Sequence, residues 1–98
     1  MTIDATRNGD KVTLAISGRL DTLTAPTLKE AIEEHTQGAL HLVLDIKNLE
    51  YISSAGLRVM LTAQRKMQKI GSMTVTNPND EMKEIFKLTG FSTILVIV

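Results

Sequence analysis

Two adjacent hydroxyls, Ser53 and Ser54, stand where an apolar strand gives way to a helix, within the stretch Asp45-Ile-Lys-Asn-Leu-Glu-Tyr-Ile-Ser-Ser-Ala-Gly-Leu-Arg-Val-Met-Leu61. The first N–H groups of a helix have no partners inside the helix, and the aligned peptide dipoles make that end positive. A serine there has two uses. It can cap the helix, which is worth about 1 kcal/mol, or it can carry a phosphoryl group where an anion is favoured. A phosphoserine brings about −1.5 to −2 units of charge, and a helix N-terminus stabilises an exposed anion by about 0.3–1 kcal/mol. Such a modification would leave the fold intact and act on whatever binds there. Burying a dianion in an interface without a cationic pocket costs several kcal/mol, and about 2.8 kcal/mol is already a hundredfold in affinity.

Other chemistry is less well served. Ser54 does not read as a hydrolytic nucleophile, because Gly56 alone does not make a G-x-S-x-G elbow and no histidine base accompanies it. No catalytic residue is assigned, and the chain is not expected to be an enzyme. Asp21 and Asp45 follow predicted strand ends. They can close Asx turns or, for Asp21, face a partner. Two carboxylates without a nearby histidine or cysteine are not a metal site. His35 and His41 flank a helix end and a strand start and read as structural or solvent-facing. No glycine-rich phosphate loop is present, and no cofactor or metal is assigned.

The chain as a whole narrows the classes. Its 98 residues suit one small domain, 1–98, with one core and no deep cleft. Eleven Lys and Arg balance 11 Asp and Glu, which argues against a basic footprint for nucleic acid or an anionic membrane. Zero cysteines rule out a disulfide framework and thiolate metal ligands and are compatible with a reducing compartment. Met1 leads straight into a strand-like segment without a leader-type or membrane-spanning apolar stretch. A cytoplasmic location is the expectation.

The elements that must position the serines follow from periodicity. Residues 3–7 and 11–17 flank Asn8-Gly9-Asp10, a strong hairpin signal. Val12, Leu14 and Ile16 alternate with polar or small residues, and Gly18 is read as the strand's end. Residues 24–36 form a helix with Ala25, Leu28, Ala31 and Ile32 on one face, Thr24 as its cap and Pro26 in its first turn. Leu40–Ile46 is nearly all apolar, the pattern of a parallel strand covered on both faces. A second helix runs from Ser54 to Ile70. Leu57, Met60, Leu61 and Met67 face inward; Arg58, Thr62, Arg65, Lys66 and Lys69 face outward. Met73–Thr76 is a fourth strand. Asn77-Pro78 opens a third helix carrying Met82, Ile85 and Phe86, and residues 93–98 form a fifth strand. The predicted order, β-β-α-β-α-β-α-β, implies an α/β fold with a five-stranded, mostly parallel sheet, an N-terminal hairpin and three main helices. Binding sites in such sheets lie beyond the carboxyl ends of the strands, so Asp21, Asp45, Ser53 and Ser54 are expected on one rim.

Ser54-Ala-Gly-Leu57 after the apolar strand, with Gly18-Arg-Leu-Asp21 and Thr24-Ala-Pro26 upstream, resembles the STAS domain, in particular the free-standing bacterial anti-sigma factor antagonists. The resemblance spans essentially the whole chain. It implies a (βα) superhelix with helices mainly on one face. It also implies a binding module switched by phosphorylation: unphosphorylated, it binds an anti-sigma factor that is also a serine kinase of the histidine-kinase-like ATPase fold, and sigma is released. A serine phosphatase reverses the modification. The family's acceptor position falls on Ser54, with Ser53 as the alternative hydroxyl. Asp21, Ser53, Ser54, Gly56, Leu57 and Arg58 become the partner-facing set. Ser53 stands where the family commonly has Asp, which removes a carboxylate beside the acceptor. That departure supports a second reading, a non-switching STAS scaffold or subunit of a transporter or signalling complex.

Overall fold

The computed structural model describes residues 1–98. Its elements are β1 (Thr2–Asn8), β2 (Lys11–Leu20), α1 (Ala25–His35), β3 (His41–Ile52), α2 (Ser54–Gln68), β4 (Ser72–Thr76), α3 (Asp80–Leu88) and a 3-10 turn at Phe91–Thr93. The sheet order is β1-β2-β3-β4. β1 is antiparallel to β2, while β2, β3 and β4 run parallel. The hairpin loop is Gly9-Asp10, closed by the Asn8–Lys11 pair, and only Gly9 of the two takes a positive φ.

Alternation decides which sheet face is covered. Val12, Leu14 and Ile16 of β2, Leu42, Leu44 and Ile46 of β3, and Met73 and Val75 of β4 are buried on one side. Leu28 and Ile32 of α1, Met60 and Met67 of α2, and Met82 and Phe86 of α3 join them in one cluster of 22 residues. Between the buried positions of β3, Val43 and Asp45 are only half-buried. The expectation that Leu40–Ile46 is covered on both faces is therefore corrected. All the helical core residues go to one face, as the family resemblance implied, and nothing remains to cover the other.

Four further boundaries differ from expectation. β2 does not stop at Gly18 but bends there, with φ +89 and a register shift against β3, and continues to Leu20. β3 is longer than its apolar run: Lys47, Asn48 and Glu50 still belong to the strand, beyond an irregular pairing after Ala15–Asp45. Asn77 and Pro78 do not open α3. Asn79 is the cap, its Oδ1 accepting the Met82 N–H at 2.8 Å, and Asp80 and Glu81 fill the first turn, where the dipole favours them. Proline disfavours a helical residue before it, and Asn77 takes φ +59 instead. Finally, the fifth strand of residues 93–98 is reduced to a single bridge, Val75–Ile97. The 3-10 turn consumes residues through Thr93, so few are left for a ladder. The tail still reaches β4 through Val75 N–H to Val96 O (2.8 Å) and Val98 N–H to Val75 O (3.0 Å).

Candidate functional site

β2 and β3 end side by side, with Leu20 paired to Ile52 and the Ser53 N–H donated to Leu20 O at 2.8 Å. Two loops leave from this edge, Asp21 toward α1 and Ser53 directly into α2. Both strand ends bury their last residue, Leu20 and Ile52, and so anchor the rim to the core.

The two serines are employed differently. Ser53 is extended (φ −93, ψ 171) and its Oγ accepts the Gly56 N–H at 3.2 Å, which makes it the N-cap. Ser54 is the first residue of α2 and is exposed. Arg58, one turn on, is also exposed. Gly56 and Leu57, expected among the partner-facing residues, are buried instead and belong to the helix's inner side. Gly56 lies so close to the strand ends that a Cβ would stand 2.6 Å from Leu20 Cγ. These two residues position the surface and do not form it.

Asp21 organises the neighbouring turn. Its Oδ1 accepts the backbone N–H of Leu23 (3.0 Å) and of Thr24 (3.0 Å), and lies 3.1 Å from the Thr24 hydroxyl, whose one proton it shares with the Arg19 carbonyl. The Thr24 hydroxyl also lies 2.8 Å from Arg19 O, and the Asp21 N–H is donated back to Thr24 Oγ1 at 2.8 Å. Thr24 thus ties the turn together and does not cap α1 through its side chain, which corrects the sequence expectation. The Thr24 backbone N–H, helped by the Thr24 hydroxyl, the Leu23 N–H and the nearby Arg19 charge, holds the Asp21 carboxyl below the usual value, against a smaller opposing effect of burial.

Asp45 is not on this rim. It lies seven residues before Ile52 in β3, roughly 20 Å away at about 3.3 Å per residue. Its Oδ1 accepts the Lys47 N–H and the Asn77 Nδ2–H, both at 3.1 Å. It secures the irregular stretch of β3 to the residue after β4. His41 pairs through Nδ1 with Ser72 Oγ at 2.7 Å, at the opposite end of the strands from Ser54. No group of His, Cys, Asp and Glu is arranged to hold a metal ion.

Two features of the rim escaped sequence reasoning. Leu23, at 86% exposure, is displayed at the head of the Asp21 turn. Arg19 stacks on Tyr51 with its guanidinium 4.2 Å from the ring centroid, across the β2–β3 pair that precedes the terminal Leu20–Ile52 pair. The sequence allows an Asx turn at Asp21, but the stack depends on a strand register that no local signal fixes.

This rim, two parallel strand ends feeding an Asx-stabilised turn and a serine-capped helix, can be compared with known proteins. The family described as Mlab, STAS domain, matches residues 3–97. The chain belongs to the STAS domain family. An anti-sigma-B factor antagonist of Listeria monocytogenes is 29% identical over 93 residues, covering 93% of this STAS domain and 82% of the relative. Two solved structures share the fold. An anti-sigma factor antagonist from Mycobacterium paratuberculosis superposes with a TM-score of 0.88 at 24% identity, covering 98% of this chain and 83% of that one. The Bacillus cell fate determinant SpoIIAA in its phosphorylated form gives 0.76 at 16% identity, covering 99% and 91%. No helix of this STAS domain is long and apolar enough to cross a membrane.

Proposed function

We propose that this STAS domain is an anti-sigma factor antagonist, a cytoplasmic binding module and not an enzyme, controlled by phosphorylation of Ser54. Its partner is an anti-sigma factor that acts as a serine kinase of the histidine-kinase-like ATPase fold, and a serine phosphatase resets the switch. The observation that carries the reading is the division of labour at the start of α2. Ser53 spends its oxygen on the Gly56 N–H, while Ser54 is exposed beside it. In the forward step the Ser54 Oγ displaces ADP from the γ-phosphorus of ATP. One O–P bond forms, one breaks, and the hydroxyl proton passes to a base. The new dianion sits at a helix N-terminus, which tolerates it, and in the middle of a surface that would have to bury it, which does not. Membership of the family and the antagonist name borne by the Listeria relative support the partner class.

The test mixes the protein with its host's kinase-type anti-sigma factor and ATP and follows intact mass. One phosphoryl group is expected, mapped to Ser54, lost in Ser54→Ala and kept in Ser53→Ala. A mass shift that persists in Ser54→Ala overturns the site. Ser53, standing where the family commonly has an acid, favours a second reading as a non-switching scaffold or subunit of a transporter or signalling complex. Partner binding without any phosphoryl uptake would select it.

A further inference from the structure

The antagonist reading says where a partner is repelled by phosphate but not what that partner presents. α1 and α2 lie against each other along a groove of about 400 Å³ that begins at Ala55, the residue after Ser54. Its floor is apolar: Ala25, Ile32 and Ala63 are buried, and Ala55 and Val59 are half-buried. Every polar residue that lines it (Thr22, Lys29, Glu33, Arg58, Thr62 and Lys66) is exposed along the rim. No buried polar group is placed to orient a small ligand, as a small-molecule pocket requires. The groove follows α2 from Ala55 to Lys66, about 16 Å at 1.5 Å per residue, or about three helical turns.

Charge selects the occupant. Three rim cations, Lys29, Arg58 and Lys66, face one carboxylate, Glu33. From Ser54 to Ile70 the chain carries Arg58, Arg65, Lys66 and Lys69 and not one Asp or Glu, although the whole chain is neutral. We propose that the α1–α2 groove docks an acidic amphipathic helix of the anti-sigma factor, apolar face on the floor and carboxylates on Arg58 and Lys66. Helix-in-groove recognition supplies the geometry. The inference rests on the antagonist reading and deepens it. Ser54 and Arg58 are one turn apart on the same helix face, the spacing at which opposite charges pair. A phosphoryl group on Ser54 therefore takes Arg58 from the partner's carboxylate and repels that carboxylate as well.

The experiment measures affinity for the host's kinase-type anti-sigma factor, without nucleotide, at low and high salt. It compares the native chain, Arg58→Glu with Lys66→Glu, and Lys83→Glu with Lys87→Glu on α3 as a control of equal net charge. The groove pair should weaken binding by about tenfold or more and remove most of the salt dependence, while the control stays within about twofold. Hydrogen-exchange protection on binding should fall on α1 and α2. All four positions are exposed, and thermal midpoints verify folding; Arg58→Gln with Lys66→Gln replaces the reversal if it does not fold. Native-like binding by the groove pair, protection confined to the uncovered sheet face, or protection of the groove by ATP alone overturns the docking inference. If Ser54 still accepts phosphate in that case, the antagonist reading survives. A native chain that neither binds the factor nor accepts phosphate sinks both.

Discussion

Gly56→Ala tests how the start of α2 is held. An added Cβ would stand 2.6 Å from Leu20 Cγ, 2.9 Å from Leu20 Cδ2 and 3.1 Å from Ile52 Cγ1. Leu20 is fully buried and Ile52 is 5% exposed, so neither has open space to move into. Overpacking of this kind costs about 1–3 kcal/mol, and the locked side chains place this case in the upper half. Alanine returns about 0.8–1.0 kcal/mol of helix propensity over glycine. The difference is a loss of about 1–2 kcal/mol. For a domain near 100 residues, 1 kcal/mol moves Tm by about 4–8 °C, so the midpoint should fall by about 4–16 °C in a far-UV circular dichroism melt. Leu20→Ala removes the atom that clashes, so the double variant should be more stable than the sum of the two single losses, by about 1 kcal/mol in urea titrations. An unchanged or raised Tm, or strict additivity, would refute the claim that Gly56 sets the approach of α2 to the strand ends. The site would feel the same change, because the Ser53 cap bond ends on the Gly56 N–H.

Three other outcomes are expected. Ser53→Ala should lose about 1 kcal/mol in urea unfolding while Ser54→Ala stays within about 0.5 kcal/mol; equal losses would contradict the division of labour between them. Gln64 is 3% exposed and its Oε1 has no partner, so Gln64→Met should raise stability by about 1 kcal/mol by removing an unsatisfied buried acceptor, and a fall would mean that the oxygen is bonded. The Asp21 carboxyl is held below its usual value in the fold. Its contribution is therefore complete above the unfolded value of about 3.9 and disappears as pH falls through the lower folded value. Asp21→Asn should flatten the acid limb of a stability–pH curve, and an unaltered limb counts against the turn.

Periodicity carried most of the fold. The alternation at Val12, Leu14 and Ile16 and the inward faces of the three helices correspond to buried positions, with Ala31, Leu61 and Ile85 only half-buried at the edges of their stripes. What an apolar pattern does not encode is how many layers lie over it. Leu40–Ile46 read as doubly covered because Val43 is as apolar as Leu42 and Leu44, yet only one face receives helices. Polar Lys47, Asn48 and Glu50 hid the continuation of β3, since irregular pairing lets a strand persist without alternation. At the rim, Asp21 and Thr24 are both good cap residues. Their order of duty depends on a turn geometry that also engages the Arg19 carbonyl. The serines show the same limit: sequence supplied two hydroxyls at a helix start, and only the extended backbone of Ser53 separates the cap from the exposed residue.

That separation bears on who activates the hydroxyl. A serine becomes a nucleophile when a neighbouring base takes its proton. Within this chain the candidates on the same rim are position 53 and Asp21. Position 53 holds a hydroxyl already engaged with the Gly56 N–H. Asp21 Oδ1 accepts the Leu23 and Thr24 backbone N–H groups, and those same bonds lower its basicity by holding its pKa down. The first offers no basic site, and the second a weakened one. On the proposed reading the domain contributes a hydroxyl presented on a helix whose capping does not depend on it, and the kinase contributes the base and the nucleotide. The rate of phosphorylation should then follow the pH dependence of the kinase and be unaltered in shape by Asp21→Asn, whereas a profile that shifts with that substitution would place the base in this chain.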